Sequence, residues 1–337
     1  MDCTKFLKTL LTSIGVLVVL VYGLILLVDP YQNVPFSLPL DRAPISTNQR
    51  FAYPALARNP IFNSVIIGSS TVRLLNPQNL DNAIGTRFAN LAMNSATAYE
   101  QKRMHELFLR HHPVTDYVVI GIDDSWCRRE TEYKKYTFRA FPEWMFNDNS
   151  WDDLLYMFND KALENTVRLL EYVVGRRTAK YEINGYRNFT MDFGVYDPRV
   201  VRARLYPNGV PLVRRIPQIP PDSQYPSWEF AAHDLLSTML ATSSEVKGTI
   251  IIFAPLHGDY LARSEALYRE CKGRIVMLGQ EYGVKMIDFM IESEITSSDE
   301  KFWDPLHFRN EVARMVESSI VDVLAGTLGG QRQYVTY

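Results

Sequence analysis

"VIIGSSTVRLL", residues 65–75, runs an apolar segment into a glycine and two serines and then resumes with a helix-like pattern. Extended to "NSVIIG" (63–68), the segment is short, β-branched and apolar on both faces, as in a strand covered on both sides within a parallel sheet. Four further stretches read as strands: "RFANLAM" (87–93), "DYVVIGI" (116–122), "GTIIIFAP" (248–255) and "VKMIDF" (284–289). Helical stretches lie between them. "AYEQKRMHELFLRHH" (98–112) carries Met104, Leu107 and Phe108 on one face, "LARSEALYRECKGRIVMLGQEYG" (261–283) precedes the last strand, and "RNEVARMVESSIVDVLAG" (309–326) closes the pattern. This alternation predicts an α/β domain over residues 60–326, with a parallel sheet flanked by helices.

One stretch interrupts the alternation. Residues 130–228 form a large insertion, with a helical pair around 150–175 followed by a segment rich in Tyr, Arg and Pro (181–228). Placed at the carboxyl end of a strand, it would overhang the crevice where open α/β sheets bind ligands, as a lid or substrate-binding subdomain; an ordinary packing excursion is the alternative. "DPYQNVPFSLPLDRAP" (29–44) opens a linker or strap over 29–59, and 327–337 reads as a C-terminal tail.

The amino terminus addresses the chain to a membrane. "LLTSIGVLVVLVYGLILLV" (10–28) contains no charged residue and is long enough to cross a bilayer as a helix. Lys5 and Lys8 precede it, so residues 1–9 are expected in the cytoplasm and the rest of the chain on the extracytoplasmic side of an inner or plasma membrane, after a single pass. The apolar run exceeds a signal-peptide core and no small-x-small cleavage site follows, which favours an uncleaved anchor.

The 337 residues carry 36 Lys and Arg against 38 Asp and Glu, so no global charge points to nucleic acid. Cys3 falls on the cytoplasmic side. Cys127 and Cys271 would meet an oxidising compartment, where they are free to pair, although nothing in the sequence requires it. No two cysteines have zinc-ligand spacing, and no G-x-G-x-x-G, phosphate-binding loop or H-E-x-x-H occurs, so neither a cofactor nor a metal is expected.

Gly-Ser-Ser at a strand's end is ordinary turn and cap chemistry, or a nucleophile held at the rim of a sheet. The second reading needs partners. "FWDPLHF" (302–308) supplies Asp304 and His307, three apart before the closing helix, where a carboxylate can hold an imidazole tautomer while the other ring nitrogen faces a hydroxyl. The chain order is then Ser…Asp…His across an α/β sheet.

On these residues the chain resembles the SGNH (GDSL-like) hydrolase superfamily. The likeness is strongest to its membrane-anchored envelope branch, which includes proteins of alginate O-acetylation and of D-alanine transfer to teichoic acid. It covers roughly residues 60–125 and 245–325 and implies a flavodoxin-like sheet. Gly68, Ser69 and Ser70 stand at the G-D-S block, which makes Ser70 the implied nucleophile with His307 as base and Asp304 orienting it. The oxyanion hole would be formed at Ser70 and at Ser95 of "NLAMNSA". The third block, G-x-N-D, reads "GIDD", which puts Asp123 where the family has a donating asparagine. A carboxylate there repels an oxyanion, so Asp123 must be protonated, turned away or otherwise employed, with Asn94 or a water as substitute donor. Asn94, His257 and Trp303 are candidate substrate contacts, with a capping or structural role the alternative for His257 and core packing the favoured reading of Trp303, whereas His111 and His112 suit a helix end. The implied activity is serine esterase or O-acyltransferase chemistry on O-acyl groups of a cell-surface polysaccharide or other envelope glycan, beside a membrane-bound O-acyltransferase. An inactive glycan-binding or assembly subunit and a lipid or thioester hydrolase are the alternatives.

Overall fold

The computed structural model describes residues 3–40, 42–211, 223–327 and 333–337. Parts of the two predicted tails, the strap and the insertion (1–2, 41, 212–222 and 328–332) lie outside the described residues. The chain divides into two compact units, Met1–Ala55 with Phe141–Ile183, and Leu56–Ala140 with Asn184–Tyr337.

The second unit holds the sheet. Its strands are β1 (Ser64–Ile67), β2 (Phe88–Asn90), β3 (Tyr117–Ile122), β4 (Gly248–Phe253) and β5 (Lys285–Asp288), followed by a hairpin of β6 (Phe302–Asp304) and β7 (His307–Phe308), and by β8 (Val335–Thr336). The spatial order is β2-β1-β3-β4-β5-β8, parallel through β5 and antiparallel at β8. Side chains alternate between the two faces. Ile66, Val119, Ile250 and Ile287 join one core with Val312, Val316 and Ile320 of the helix Asn310–Ala325. Their neighbours Val65, Ile67, Val118, Ile120, Ile251 and Met286 are equally buried and so face the other way. Burial on both faces is what the near-continuous apolar strands encode. The sequence reading of 327–337 as a tail misses β8, whose two paired residues are too few to carry a periodic signal.

Because the order reverses between β1 and β3, the crevice at their carboxyl ends is a topological switch point. The segments leaving β1, β2 and β3 all open there, carrying Ser70, Ser95 and Asp123 respectively.

The first unit is built on the helix Cys3–Val28, the one described helix long and apolar enough to cross a membrane. The helix Asp160–Val173 packs along it, and Val28, Ile45 and Leu169 form a small shared core. Its C-terminal carbonyls are capped by a side chain far along the chain. Arg42 donates to the carbonyls of Val28 (2.6 Å), Asp29 and Leu38, placing a cation at the negative end of the helix dipole. The chain meanwhile doubles back, with Leu38 N–H donating to Leu27 O at 2.8 Å. Further along, the helix Gln49–Ala57 follows. The predicted insertion is also not one body, since 141–183 belongs with the apolar helix and the remainder with the sheet.

Candidate active site

Gly68 follows β1, Ser69 caps a short 3-10 turn, and Ser70 is the turn's first residue. The turn is pinned by Val72, whose side chain sits against the backbones of β1 and β3. A Cβ on Gly68 would lie 2.3 Å from a Val72 methyl, and one on Gly121 2.7 Å from the other. Both positions need glycine to admit that side chain.

The partners come from the β6–β7 hairpin, in which Asp304 pairs with His307 across Pro305 and Leu306. Asp304 accepts the N–H groups of Leu306 (2.9 Å) and His307 (3.0 Å), so the same carboxylate shapes the turn and holds the ring. His307 Nδ1 lies 2.8 Å from Asp304 Oδ2, and its Nε2 lies 2.9 Å from Ser70 Oγ. A carboxylate only accepts, so Nδ1 carries the proton and Nε2 is left to accept from the serine. Burial works to raise the Asp304 pKa. The hydrogen bond and charge of His307, with the two backbone N–H groups, outweigh it and hold the acid below its ordinary value. Phe189 meets the imidazole edge-on at 5.6 Å and Phe193 lies at 6.1 Å, which limits the ring's freedom to turn.

Ser70 and His307 open into a cavity of about 630 Å³, within the usual range for a small-molecule site. Ser95 lines it too, in a left-handed backbone conformation (φ 52°) that favours glycine. Tyr133, Tyr136 and Phe138, from the segment after β3, form an aromatic wall.

The other candidates fall elsewhere. Asp123, expected at the oxyanion hole, is fully buried and accepts from Ser69 Oγ, Thr71 Oγ1 (3.0 Å), Ser125 N–H (2.9 Å) and Ser125 Oγ (2.6 Å). Four donors thus converge on this one carboxyl group, and the side chain ties the turn that carries Ser70 to the end of β3. Asn94, expected to donate, accepts from buried Arg73, whose guanidinium stacks on Phe189 at 5.0 Å. His257, readable from the sequence as a substrate contact or as a capping histidine, is buried and takes the second role. It caps the helix Gly258–Ala262 through Asp259 N–H and bonds Asp299 through Nε2 (3.1 Å). Trp303, a core tryptophan or a sugar platform from the sequence, packs on Phe193 at 5.3 Å and does not line the cavity. Sequence reasoning missed Thr71, Ser125, Phe189 and Phe193. The hydroxyls of "GSST" and "GIDDS" were a usable signal, because a buried carboxylate calls for donors, but their pairing is non-local.

Asp123→Asn is therefore expected to impair the site. An amide cannot accept from all four donors, so we expect a loss of ~1–3 kcal/mol in stability and a drop of ~10–100-fold in kcat from displacement of Ser70. Chemical denaturation and ester kinetics on the same preparation measure both.

Asp124 lines the cavity beside Arg128, 3.0 Å away. Burial first, then the adjacent Asp123 carboxylate, push its pKa up to about 6, against the pull of Arg128. With a folded pKa above the unfolded one, Asp124 favours the fold while protonated, and that contribution is lost as pH rises from about 4 through about 6. Asp124→Asn should leave the melting temperature unchanged at the acid end of this window. Above it the variant should be the more stable by on the order of 1 kcal/mol, as thermal melts across pH would record.

Among the described residues, no group of three His, Cys, Asp or Glu side chains is placed to hold a metal ion. Compared with known protein families and with curated protein sequences, the chain matches none.

Proposed function

We propose that this chain is a membrane-anchored serine esterase or O-acyltransferase with an SGNH-like domain, acting on O-acyl groups of a cell-surface polysaccharide outside the cytoplasm. The observation that carries it is the continuous relay from Ser70 Oγ through His307 to Asp304 at the rim of the sheet. Ser70 attacks the acyl carbon while His307 Nε2 takes its proton, and Asp304 stabilises the imidazolium that forms. The tetrahedral oxyanion settles against the backbone N–H groups of Ser70 and Ser95. His307 returns the proton to the leaving alcohol, then activates water or an acceptor sugar hydroxyl to release the acyl group.

Other features support this reading. The 2-1-3-4-5 strand order is the flavodoxin-like one. The glycine-favouring backbone at Ser95 suits the family's second block. Cys127 and Cys271 form a disulfide, which fits an oxidising compartment, as does the placement of Lys5 and Lys8 in the first turns of the apolar helix. A membrane-bound O-acyltransferase supplying the acyl group is the partner this role implies. The test is incubation of the full chain with a chromogenic acetyl ester and with an organophosphonate, followed by peptide mapping. Turnover with the adduct on Ser70 supports the proposal; a folded protein with neither turnover nor label overturns it.

A further inference from the structure

The first unit leaves many large apolar side chains in the open, and five of those outside the apolar helix gather at one height along it. Leu155 is 81% exposed, Trp151 64% and Phe158 53%, with Phe36 and Leu38 nearly half exposed. Single exposed hydrophobes are ordinary, but a contiguous set marks a surface that meets something other than water.

Their height follows from named contacts. Tyr22 donates its hydroxyl to the carbonyl of Leu154 and meets Phe158 edge-on at 5.3 Å. Leu38 N–H reaches Leu27 O, and Phe36 lies 6.1 Å from Trp151. A bilayer core needs about 20 helical residues, a length that runs from Lys8 to Val28. Tyr22 then sits about 9 Å short of Val28 along the axis, at about 1.5 Å per residue. Anything packed on the helix between Tyr22 and Leu27 stands at the boundary between acyl chains and headgroups, the depth reached by interfacial segments.

The chemistry suits that depth. Trp151, Tyr156 and Tyr22 are the amphipathic aromatics that collect at membrane interfaces. Phe36, Leu38, Leu155 and Phe158 supply purely apolar surface. The adjoining helix Asp160–Val173 carries a separate polar stripe in which Glu164 pairs with both Lys161 and Arg168, leaving a charged side for water.

We propose that Phe36, Leu38, Trp151, Leu155 and Phe158 form a collar immersed in the leaflet at the Val28 end of the helix, so that this unit grips lipid by a second surface beside its span. The inference rests on Cys3–Val28 crossing the bilayer and not on ester chemistry.

Nitroxide labels test it in the full chain, reconstituted into phosphatidylcholine–phosphatidylglycerol vesicles. Cys3→Ser removes the free thiol, and single Leu155→Cys, Phe158→Cys, Leu17→Cys and Arg176→Cys variants carry the label, the last two as reporters for mid-span and for an exposed charged site. The readout is collisional accessibility to oxygen, which partitions into lipid, against a water-soluble nickel chelate. We expect an oxygen-to-nickel ratio at 155 and 158 several-fold above that at 176 and approaching that at 17. Equal ratios at 155, 158 and 176, with 17 still in lipid, overturn the collar and leave the span. Protection at 155 and 158 from both reagents means protein covers them, a second copy included, and also overturns it. A water-like ratio at 17 removes the span, and the collar with it.

Discussion

Ser70→Ala is expected to lower ester turnover by on the order of 10⁴–10⁶-fold while leaving the melting temperature nearly unchanged. The size follows from the geometry, because Ser70 is the hydroxyl that His307 Nε2 reaches, at 2.9 Å, and without it the relay has nothing to activate. The stability is spared because Ser70 contributes no cap and no core packing. The turn is held by the Ser69 cap and by Val72 between two glycines. Ser69→Ala is the contrasting variant. It forfeits the bond to Asp123 and the cap on Thr71 N–H, so it should lose ~0.5–2 kcal/mol of stability while activity survives in reduced form. Adding His307→Ala to Ser70→Ala should cost little more than either alone, since both residues serve one step. A double variant far slower than Ser70→Ala would mean that His307 serves some other nucleophile.

Breaking the disulfide should have the largest effect on stability. Cys127 and Cys271, both buried, stand 144 residues apart and join the segment after β3 to the helix Glu265–Glu281. Cross-linking a loop of that length restricts the unfolded chain strongly, and its removal is expected to cost ~3–5 kcal/mol. Thermal melts of Cys127→Ser, and of the unaltered protein with and without reductant, measure this. Since Cys127 lies four residues beyond Asp123, activity should fall below the melting transition as well. Melts that coincide with and without complete reduction would show that packing alone holds this segment.

Much of the sheet was legible because burial on two faces writes itself into composition. All five predicted strands appear within their predicted ranges, as do the helices Ala98–His111, Glu265–Glu281 and Asn310–Ala325. The Asp304–His307 pairing was also readable, being a local property of a tight hairpin. What escaped depends on distant partners. "GIDD" names a carboxylate but not the three hydroxyls that meet Asp123, and "LHG" does not disclose that His257 turns inward to Asp299. Trp303 reads alike as a platform or as a wall until Phe193 is found against it. The division of the insertion between two units was illegible for the same reason. The helical pair at 150–175 is amphipathic in either setting, and only the apolar helix it packs on decides which.

The Arg42 cap on the end of the apolar helix has a mechanical consequence. A helix that ran out into a loose tether would let its head swing through a wide volume, and tension on one side would be lost as slack on the other. Here a single guanidinium clasps three carbonyls at the point where slack would begin, and Leu38 doubles back onto Leu27. A tilt of this helix is therefore expected to carry Leu38 and Arg42 along with it as one pedestal. Loss of the Arg42 clasp would turn that pedestal into a rope.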